Sequence, residues 1–119
     1  MAAPNIVNVT TIFGKTAVLA VTTTATAIVA NSAGSNKVFK VNSLYVANVD
    51  GTANAEITAD VFRSSTAFRL ASTVVVPADA TLTILSTPIY LEEGDSIRLT
   101  ANANGDLEAV CSYEDISSS

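Results

Sequence analysis

The sequence predicts an all-β fold: a single antiparallel β-sandwich, jelly-roll-like, with about eight short strands. Two observations predict it. Apolar and polar residues alternate over short runs, as they do in strands that bury one face. Tight polar breaks separate these runs at spacings of roughly ten residues, and no segment keeps a helical period over several turns. The 119 residues fit one domain, 1–119.

The first half of the chain predicts three strands. Residues 5–13 are rich in β-branched side chains and predict a strand, which a turn at Gly14 and Lys15 separates from a second strand over residues 16–22. Turn-forming residues at 31–36 predict a loop. Residues 37–49 then form a long strand with apolar side chains at both parities, which is typical of a central strand or one covered by a partner.

The second half predicts shorter strands joined by turns. Asp50 and Gly51 are a strong hairpin signal, and Ser64 and Ser65 predict the next turn. Pro88 interrupts an apolar run, which indicates an edge strand or a bulge. In the strand over residues 55–63, the polar side chains Glu56, Thr58 and Asp60 are expected to point outward. The rows expected to face the core are Ile57, Ala59 and Val61; Phe68, Leu70, Val74 and Val76; Ile97, Leu99 and Ala101; and Leu107, Ala109, Cys111 and Tyr113.

Composition limits the classes of function. Hydrophobic residues make up 49% of the chain and charged residues 14%, against roughly 25% charged in an ordinary soluble domain. This low charge indicates that part of the surface is covered by other subunits. The net charge of −5 and six scattered basic residues argue against nucleic-acid binding, which needs a basic face. The apolar runs are too short to span a membrane, and the N-terminus lacks a secretion signal, so synthesis in the cytoplasm is expected.

Candidate catalytic groups are sparse, and the sequence predicts a protein that is not an enzyme. The chain has no histidine to activate a nucleophile, and its one cysteine, Cys111, is expected to be a small buried core residue that cannot form an internal disulfide. The densest acidic cluster is Glu92, Glu93 and Asp95. It flanks Gly94 in a predicted turn, where carboxylates are expected to be solvated rather than arranged as an acid and a base.

No cofactor or metal site is predicted. Oxygen-bearing side chains alternate in residues 48–54 and 102–106, which resembles a calcium loop superficially. Glycine and a bidentate carboxylate are missing from the positions that such a loop requires, so turn formation explains both segments better. The sequence leaves open whether either loop binds an ion. No glycine-rich phosphate motif follows a strand.

Most of the seven aromatic side chains fall on strand parities expected to be buried. Phe62 is the exception, because it lies on the polar parity of its strand and is either an interface anchor or an accident of packing. Carbohydrate-binding domains use exposed aromatic platforms. Tyr45 and Tyr90 are the residues whose exposure would support such a function.

Three segments resemble small virion proteins of tailed bacteriophages: Val-Pro-Ala-Asp at 76–79, Thr-Pro-Ile-Tyr-Leu-Glu-Glu-Gly-Asp-Ser-Ile at 87–97 and Ser-Tyr-Glu-Asp-Ile-Ser at 112–117. The resemblance covers roughly the second half of the chain and residues 44–51. It implies a non-enzymatic part of the virion. The form it favours is a capsid decoration (cement) protein, a homotrimer that binds the major capsid protein or other virion proteins and stabilises the head shell.

Two other placements remain open under this resemblance, the neck and the tail or its fibres. A host-glycan-binding β-sandwich is the alternative of a different class. The chain ends are the expected contact segments: an N-terminal arm, residues 2–13, that either adds a strand to a neighbour's sheet or pairs within its own chain, and residues 113–119, with a frayed tail at 117–119. The expected interface residues are Ile6, Val7, Val9, Ile12, Phe13, Phe62, Tyr113 and Ile116.

Overall fold

The computed structural model describes residues 5–117 and shows nine β-strands and no helix in that range. Their bounds are β1 Thr11–Ala20, β2 Thr26–Ala30, β3 Lys37–Asn48, β4 Ala55–Arg63, β5 Thr66–Val76, β6 Thr81–Leu85, β7 Ile89–Leu91, β8 Ser96–Ala101 and β9 Leu107–Ser117.

The strands form two antiparallel sheets. Sheet A has the order β1-β9-β3-β6, with β7 also paired to β3, and sheet B has the order β2-β8-β4-β5. Most connections cross from one sheet to the other. Since β6 and β7 both pair with β3 and are separated by Pro88, they act as one interrupted edge strand, as the proline predicted. The predicted all-β, jelly-roll-like sandwich is confirmed.

The core lies between the two sheets. Leu44 and Cys111 reach it from sheet A, and Ile57, Ile97 and Leu99 reach it from sheet B, all with no exposed surface. Burying an aliphatic side chain of this size contributes about 1.5–3 kcal/mol. The core row predicted for β8 is confirmed. In the row predicted for β9, Leu107, Ala109 and Cys111 are also buried as expected.

A β-bulge explains why β3 carries apolar residues at both parities. The pairing of β3 with β9 shifts between Val41 and Ser43. Phe39 and Val41 face the core before the shift, and Leu44 and Val46 face it afterwards. β3 is therefore central, as predicted. The bulge also turns Tyr45 to the outer side.

The predicted turn at Gly14 and Lys15 is wrong. β1 runs without a break through both residues, because Gly14 pairs with Glu114 and Lys15 pairs with Tyr113 along a regular ladder. Residues 5–10 form turns and bends instead of a strand. Of the predicted arm, residues 11–13 pair within their own chain, and residues 2–4 lie outside the described range.

The predicted hairpin at Asp50 and Gly51 is also wrong, although a turn does occur there. β3 belongs to sheet A and β4 to sheet B, so this segment crosses the sandwich. The Asp50 carboxylate accepts hydrogen bonds from the N–H and hydroxyl of Thr52, which fixes the turn. The β4–β5 hairpin lies instead at Ser64 and Ser65, whose φ angles of 53° and 59° suit a two-residue turn.

The inward row predicted for β5 is only partly correct. Val76 is buried and Leu70 is half-buried, but Phe68 is 57% exposed and Val74 is 36% exposed. β5 is an edge strand of sheet B, and its register against β4 shifts twice, which breaks the alternation of side chains.

The end of the chain is more ordered than predicted. Ser117 is buried within β9 and pairs with both Thr11 and Lys37, so the expected fraying does not start at this residue. The rest of the predicted tail, residues 118 and 119, lies outside the described range.

Candidate interaction surface

The outer face of sheet A, the side turned away from the core, carries an uncharged row across four strands. The pairing register places Val18, Val110, Tyr45 and Thr83 side by side on β1, β9, β3 and β6. Val18 is 73% exposed and Tyr45 is 39% exposed. Exposed apolar groups that are aligned in this way are typical of a surface that another molecule covers.

Further apolar side chains lie on the same face. Ile12 on β1 and Tyr90 on β7 are each about half exposed. The prediction that most aromatic residues are buried is therefore wrong, since Phe13 and Phe68 are exposed as well as the two tyrosines. The outward aromatics result from the bulge in β3 and from the edge positions of β1, β5 and β7, which periodicity does not reveal.

The predicted interface residues differ in exposure. Ile116 is buried, whereas Tyr113 is half-buried with its ring centre 5.3 Å from that of Phe39. Phe62 is half-buried, with the Arg98 guanidinium 3.9 Å from its ring centre. Val9 is also half-buried, while the exposed members are Ile6, Val7, Ile12 and Phe13. Their contact with a partner stays a prediction. The sequence did not indicate Val18 or Tyr45 as interface residues.

One buried ion pair lies on β4 and β8. Asp60 is on the outward parity of β4, as predicted, yet it is 3% exposed. Nε of Arg98 donates to the Asp60 carboxylate at 3.0 Å, and Nη2 donates at 3.3 Å. Arg98 also stacks on Phe62, so one arginine covers both side chains.

The acidic turn after β7 is not uniformly solvated, which corrects the prediction for Asp95. This residue is 3% exposed and receives hydrogen bonds from the Arg63 guanidinium and the Glu92 N–H. Burial alone raises the pKa of Asp95, but the bonds from Arg63 and Glu92 outweigh it and hold that pKa below its usual value. Glu93 accepts a hydrogen bond from the Asn36 N–H. The turn therefore ties three segments of the chain together.

A third buried carboxylate is shared by two lysines. Oδ2 of Asp115 accepts hydrogen bonds from Lys15 at 3.1 Å and from Lys37 at 3.3 Å. The hydrogen bond and charge of Asp115 raise the pKa of Lys15. These groups line a polar cavity of about 300 Å³ between β2 and the end of sheet A. The cluster connects β1, β3 and β9 at that end of the sandwich.

Most of the charged groups outside these pairs are acidic. Four of the six basic residues form ion pairs with carboxylates: Lys15, Lys37, Arg63 and Arg98. Most of the eleven acidic residues are outside these pairs. Such a surface is unsuited to binding phosphate backbones.

Cys111 is buried in the core, as predicted. Desolvation raises the pKa of its thiol to about 11. The side chain is therefore a neutral thiol at physiological pH, and the thiolate is the reactive form of cysteine.

The two candidate ion loops use their amide groups to bind the backbone. The Asn48 amide donates to the carbonyls of Ala53 and Val76. The Asn102 and Asn104 side-chain oxygens accept from the N–H groups of Glu56 and Thr23. Within residues 5–117, no group of three or more histidine, cysteine or acidic side chains is arranged to hold a metal ion.

An apolar cleft lies at one open side of the sandwich, between β5 and β7. It has a volume of about 370 Å³ and is lined by Phe68, Tyr90 and Arg63, with Val61, Leu70 and Ile89 at its base and walls. Across the described part of the chain, no helix is long and apolar enough to cross a membrane.

Comparisons with known proteins show the fold and no family. No family model and no curated protein matches the chain. A chain from Bacillus endospore appendages, which form a novel family of disulfide-linked pili, is similar in structure at 18% identity, with 92% of this chain and 90% of that chain covered and a TM-score of 0.53. A pentameric capsid protein isolated from metagenomic phage sequences matches with a TM-score of 0.41 at 19% identity, covering 85% of this chain and 60% of that chain, which is too weak to support an argument.

Proposed function

We propose that this protein is a non-enzymatic structural subunit that acts by binding other subunits of a large particle. In its finer form the proposal follows the sequence resemblance: a capsid decoration (cement) protein of a tailed phage, located in the virion. A decoration subunit stabilises a shell because it binds the assembled lattice and not the separated subunits, which shifts the equilibrium toward the shell.

The observation that carries the proposal is the uncharged row across the outer face of sheet A. Val18, Val110, Tyr45 and Thr83 form a row across four strands in a chain whose unpaired charges are mostly acidic. Short, neutral side chains lose little rotamer entropy when a partner covers them. A rigid sheet with such a face is suited to adhesion.

The chemistry of the buried polar groups supports a structural role. Asp60, Asp95 and Asp115 are each held by basic side chains that bridge strands or loops. The Cys111 thiol is inside the core. These groups stabilise the sandwich where an enzyme would present them to a substrate. A chain from Bacillus endospore appendages, which form disulfide-linked pili, has a similar fold.

Co-sedimentation with phage heads that lack the protein tests the proposal. We expect the wild-type chain to sediment with the heads and to raise the temperature at which they rupture. Tyr45→Lys should weaken binding at least tenfold, because it places a charge in the middle of the uncharged row. Val75→Lys is the matched control, since Val75 is 49% exposed and lies on the opposite sheet. Equal binding by both variants would refute the role of this face.

Light scattering of the isolated chain tests the number of copies. The resemblance implies a trimer, and thus a mass near three times 12.2 kDa. Three linked contacts would increase the affinity for a shell through avidity. A different mass would remove the trimer from the proposal while leaving head binding to be decided by sedimentation.

Glycan binding is the second candidate, and the cleft between β5 and β7 favours it. Phe68 and Tyr90 are both about half exposed and line this cleft together with Arg63. Exposed rings beside a guanidinium can stack on a sugar and donate hydrogen bonds to its hydroxyls. Screening against immobilised glycans tests this, with Tyr90→Ala as the cleft variant and Tyr45→Ala as the control outside the cleft. Binding that Tyr90→Ala abolishes and Tyr45→Ala preserves would support it.

A further inference from the structure

The polar cavity at one end of the sandwich is large enough for a small molecule. It has a volume of about 300 Å³ and lies between the inner side of sheet A, the side that faces sheet B, and β2 with the loop that follows it. This volume is at the lower end of the range for small-molecule sites. It is also about ten times the share of one water molecule in the liquid. The cavity can therefore hold a ligand as well as solvent.

The strand order brings the three charged side chains of the cavity together. β9 lies between β1 and β3, so Asp115 has a neighbouring strand on each side. Lys15 on β1 lies opposite Tyr113, two residues before Asp115. Lys37 on β3 lies opposite Ser117, two residues after Asp115. Diagonal neighbours of this kind are within reach of long side chains, so both lysines reach one carboxylate from opposite sides.

The two oxygens of the Asp115 carboxylate differ in their contacts. Oδ2 accepts hydrogen bonds from the ammonium groups of Lys15 and Lys37. Oδ1 is buried, and no group within residues 5–117 donates a hydrogen bond to it. Because the Asp115 side chain is only 3% exposed, an acceptor left without a donor is unfavourable there. The donor must then come from a molecule in the cavity.

The two lysines supply donors beside this acceptor. Their side chains are 47% and 39% exposed, so Lys15 and Lys37 lie between the solvent and the buried carboxylate. An ammonium group has three N–H donors, and one on each lysine is directed to Asp115. The other residues that line the cavity are uncharged, so positive charge is in excess there although the chain has a net charge of −5. The cavity therefore favours an anion.

Hydrogen bonds of Asn31 hold the opposite wall of the cavity in place. The Asn31 side-chain amide donates to the carbonyls of Lys37 and Leu91 at 2.8 Å and 3.0 Å. Its side-chain oxygen accepts from the Ser35 hydroxyl, and its backbone N–H donates to the Asp95 carbonyl. Asn31 is 2% exposed, so water does not compete for these bonds. The wall is therefore preformed, as is usual in ligand sites.

We propose that this cavity binds one small oxyanion that carries an O–H group. The anionic oxygens accept hydrogen bonds from Lys15 and Lys37, and the O–H group donates to Oδ1 of Asp115. Inorganic phosphate and 2-hydroxycarboxylates share this chemistry. An anion without an O–H group would leave Oδ1 unpaired, and a metal cation would be repelled by the two ammonium groups.

The proposal concerns one chain and goes beyond the proposed function. A single oxyanion needs two local cations, not the extended basic face that a nucleic acid requires. The isolated chain is sufficient for the test. A failure to bind anions would leave the structural function in place, and a failure to bind phage heads would leave the anion site in place.

Isothermal titration calorimetry with matched anions tests the hydrogen bond to Asp115. At neutral pH inorganic phosphate keeps an O–H group, whereas sulfate has a similar size and none. Glycolate and acetate form the second pair, since only glycolate carries a hydroxyl group. We expect one phosphate or one glycolate per chain, bound at least about tenfold more tightly than its matched anion at equal ionic strength.

The two pairs also identify the source of the oxyanion. Preference for phosphate alone would assign the site to phosphate, and preference for glycolate alone would assign it to hydroxycarboxylates. Equal binding within both pairs would show an adventitious ion only and overturn the proposal. Saturable binding by neither phosphate nor glycolate would also overturn it.

Substitutions separate the site from a general effect of charge. Lys37→Gln should weaken binding of the preferred anion at least about tenfold. Lys40→Gln is the matched control, because it removes the same charge from the same strand at a residue that does not line the cavity. It should leave the affinity unchanged within about twofold. Equal weakening by the two variants would overturn the proposal.

Asp115→Asn tests the acceptor itself. The asparagine oxygen would take the place of Oδ2 and accept from the two lysines, which puts the NH₂ donor where Oδ1 was. We expect this variant to lose the preference for the anion with the O–H group, since an NH₂ group can donate to sulfate or acetate. A preference that persists in folded Asp115→Asn would overturn the proposal. If circular dichroism shows that this variant does not fold, the comparison of Lys37→Gln with Lys40→Gln decides.

Discussion

Removing either member of the Arg63–Asp95 pair should destabilise the protein, but by different amounts. Asp95 is 3% exposed, whereas the Arg63 side chain is 46% exposed. Arg63→Met leaves a buried carboxylate without its cation, and breaking a buried pair in this way costs about 3–5 kcal/mol. Water can reach the half-open site, so we expect the lower end, about 3 kcal/mol.

Asp95→Asn should cost less, about 1–2 kcal/mol. Asparagine keeps an oxygen that can accept from the Glu92 N–H, and the guanidinium of Arg63 can be hydrated where it stands. The sharper expectation concerns the double variant. Adding Asp95→Asn to Arg63→Met should restore about 1 kcal/mol, because it removes the uncompensated buried charge.

Urea unfolding is the appropriate assay, since guanidinium salts would screen the ion pair. The transition can be followed by circular dichroism, because the chain has no tryptophan. Two results would refute the reasoning. One is an Arg63→Met variant as stable as Asp95→Asn, and the other is a double variant less stable than Arg63→Met alone.

Three further predictions concern the same fold and use the same unfolding assay. Leu44→Ala should lose about 3 kcal/mol because its side chain is fully buried, whereas Val18→Ala on the surface should stay within about 0.5 kcal/mol; similar losses would contradict the assignment of the core. Gly94→Ala should cost about 1 kcal/mol because φ is +89°, although nothing lies within 4 Å of the new methyl group. Gly14→Ala is the control, since Gly14 has no positive φ and its substitution should not destabilise the protein. Equal effects of the two substitutions would exclude backbone strain as the cause. The pKa of Asp95 in the folded protein lies below its ordinary value of 3.8, so the Asp95 carboxylate stabilises the fold above pH 3.8 and this contribution is lost as the pH falls through the folded pKa. Asp95→Asn should therefore flatten the loss of stability below about pH 5. Parallel curves of unfolding free energy against pH for the wild type and the variant would contradict this.

The fold was predictable because periodicity and turn residues record which face of each strand is buried. β8 shows this clearly, with Ile97, Leu99 and Ala101 buried as the alternation predicts. The errors came from pairings that local signals do not encode. Gly14 lies within a strand because Glu114, a hundred residues later, pairs with it. The turn at Asp50 has local hairpin chemistry, but its flanking strands belong to different sheets.

The candidate surface was less predictable than the core. A bulge after Val41 exchanges the two faces of β3 and exposes Tyr45, and a bulge leaves no reliable signature in the alternation of a strand that is apolar on both sides. The sequence also does not reveal which strands form the two open edges of sheet A. Only the strand order shows that β1 ends the sheet and that its neighbour is β9, the last strand of the chain.

The buried carboxylates link the core of the sandwich to the charge of its surface. Asp60, Asp95 and Asp115 each bind basic side chains that are distant in sequence, so a composition with six cations and eleven acidic residues does not describe the surface. Four of the six cations form these pairs, so most of the charged groups outside the pairs are acidic. The row of Val18, Val110, Tyr45 and Thr83 carries no charged side chain, so a partner can cover this row without desolvating a charge within it.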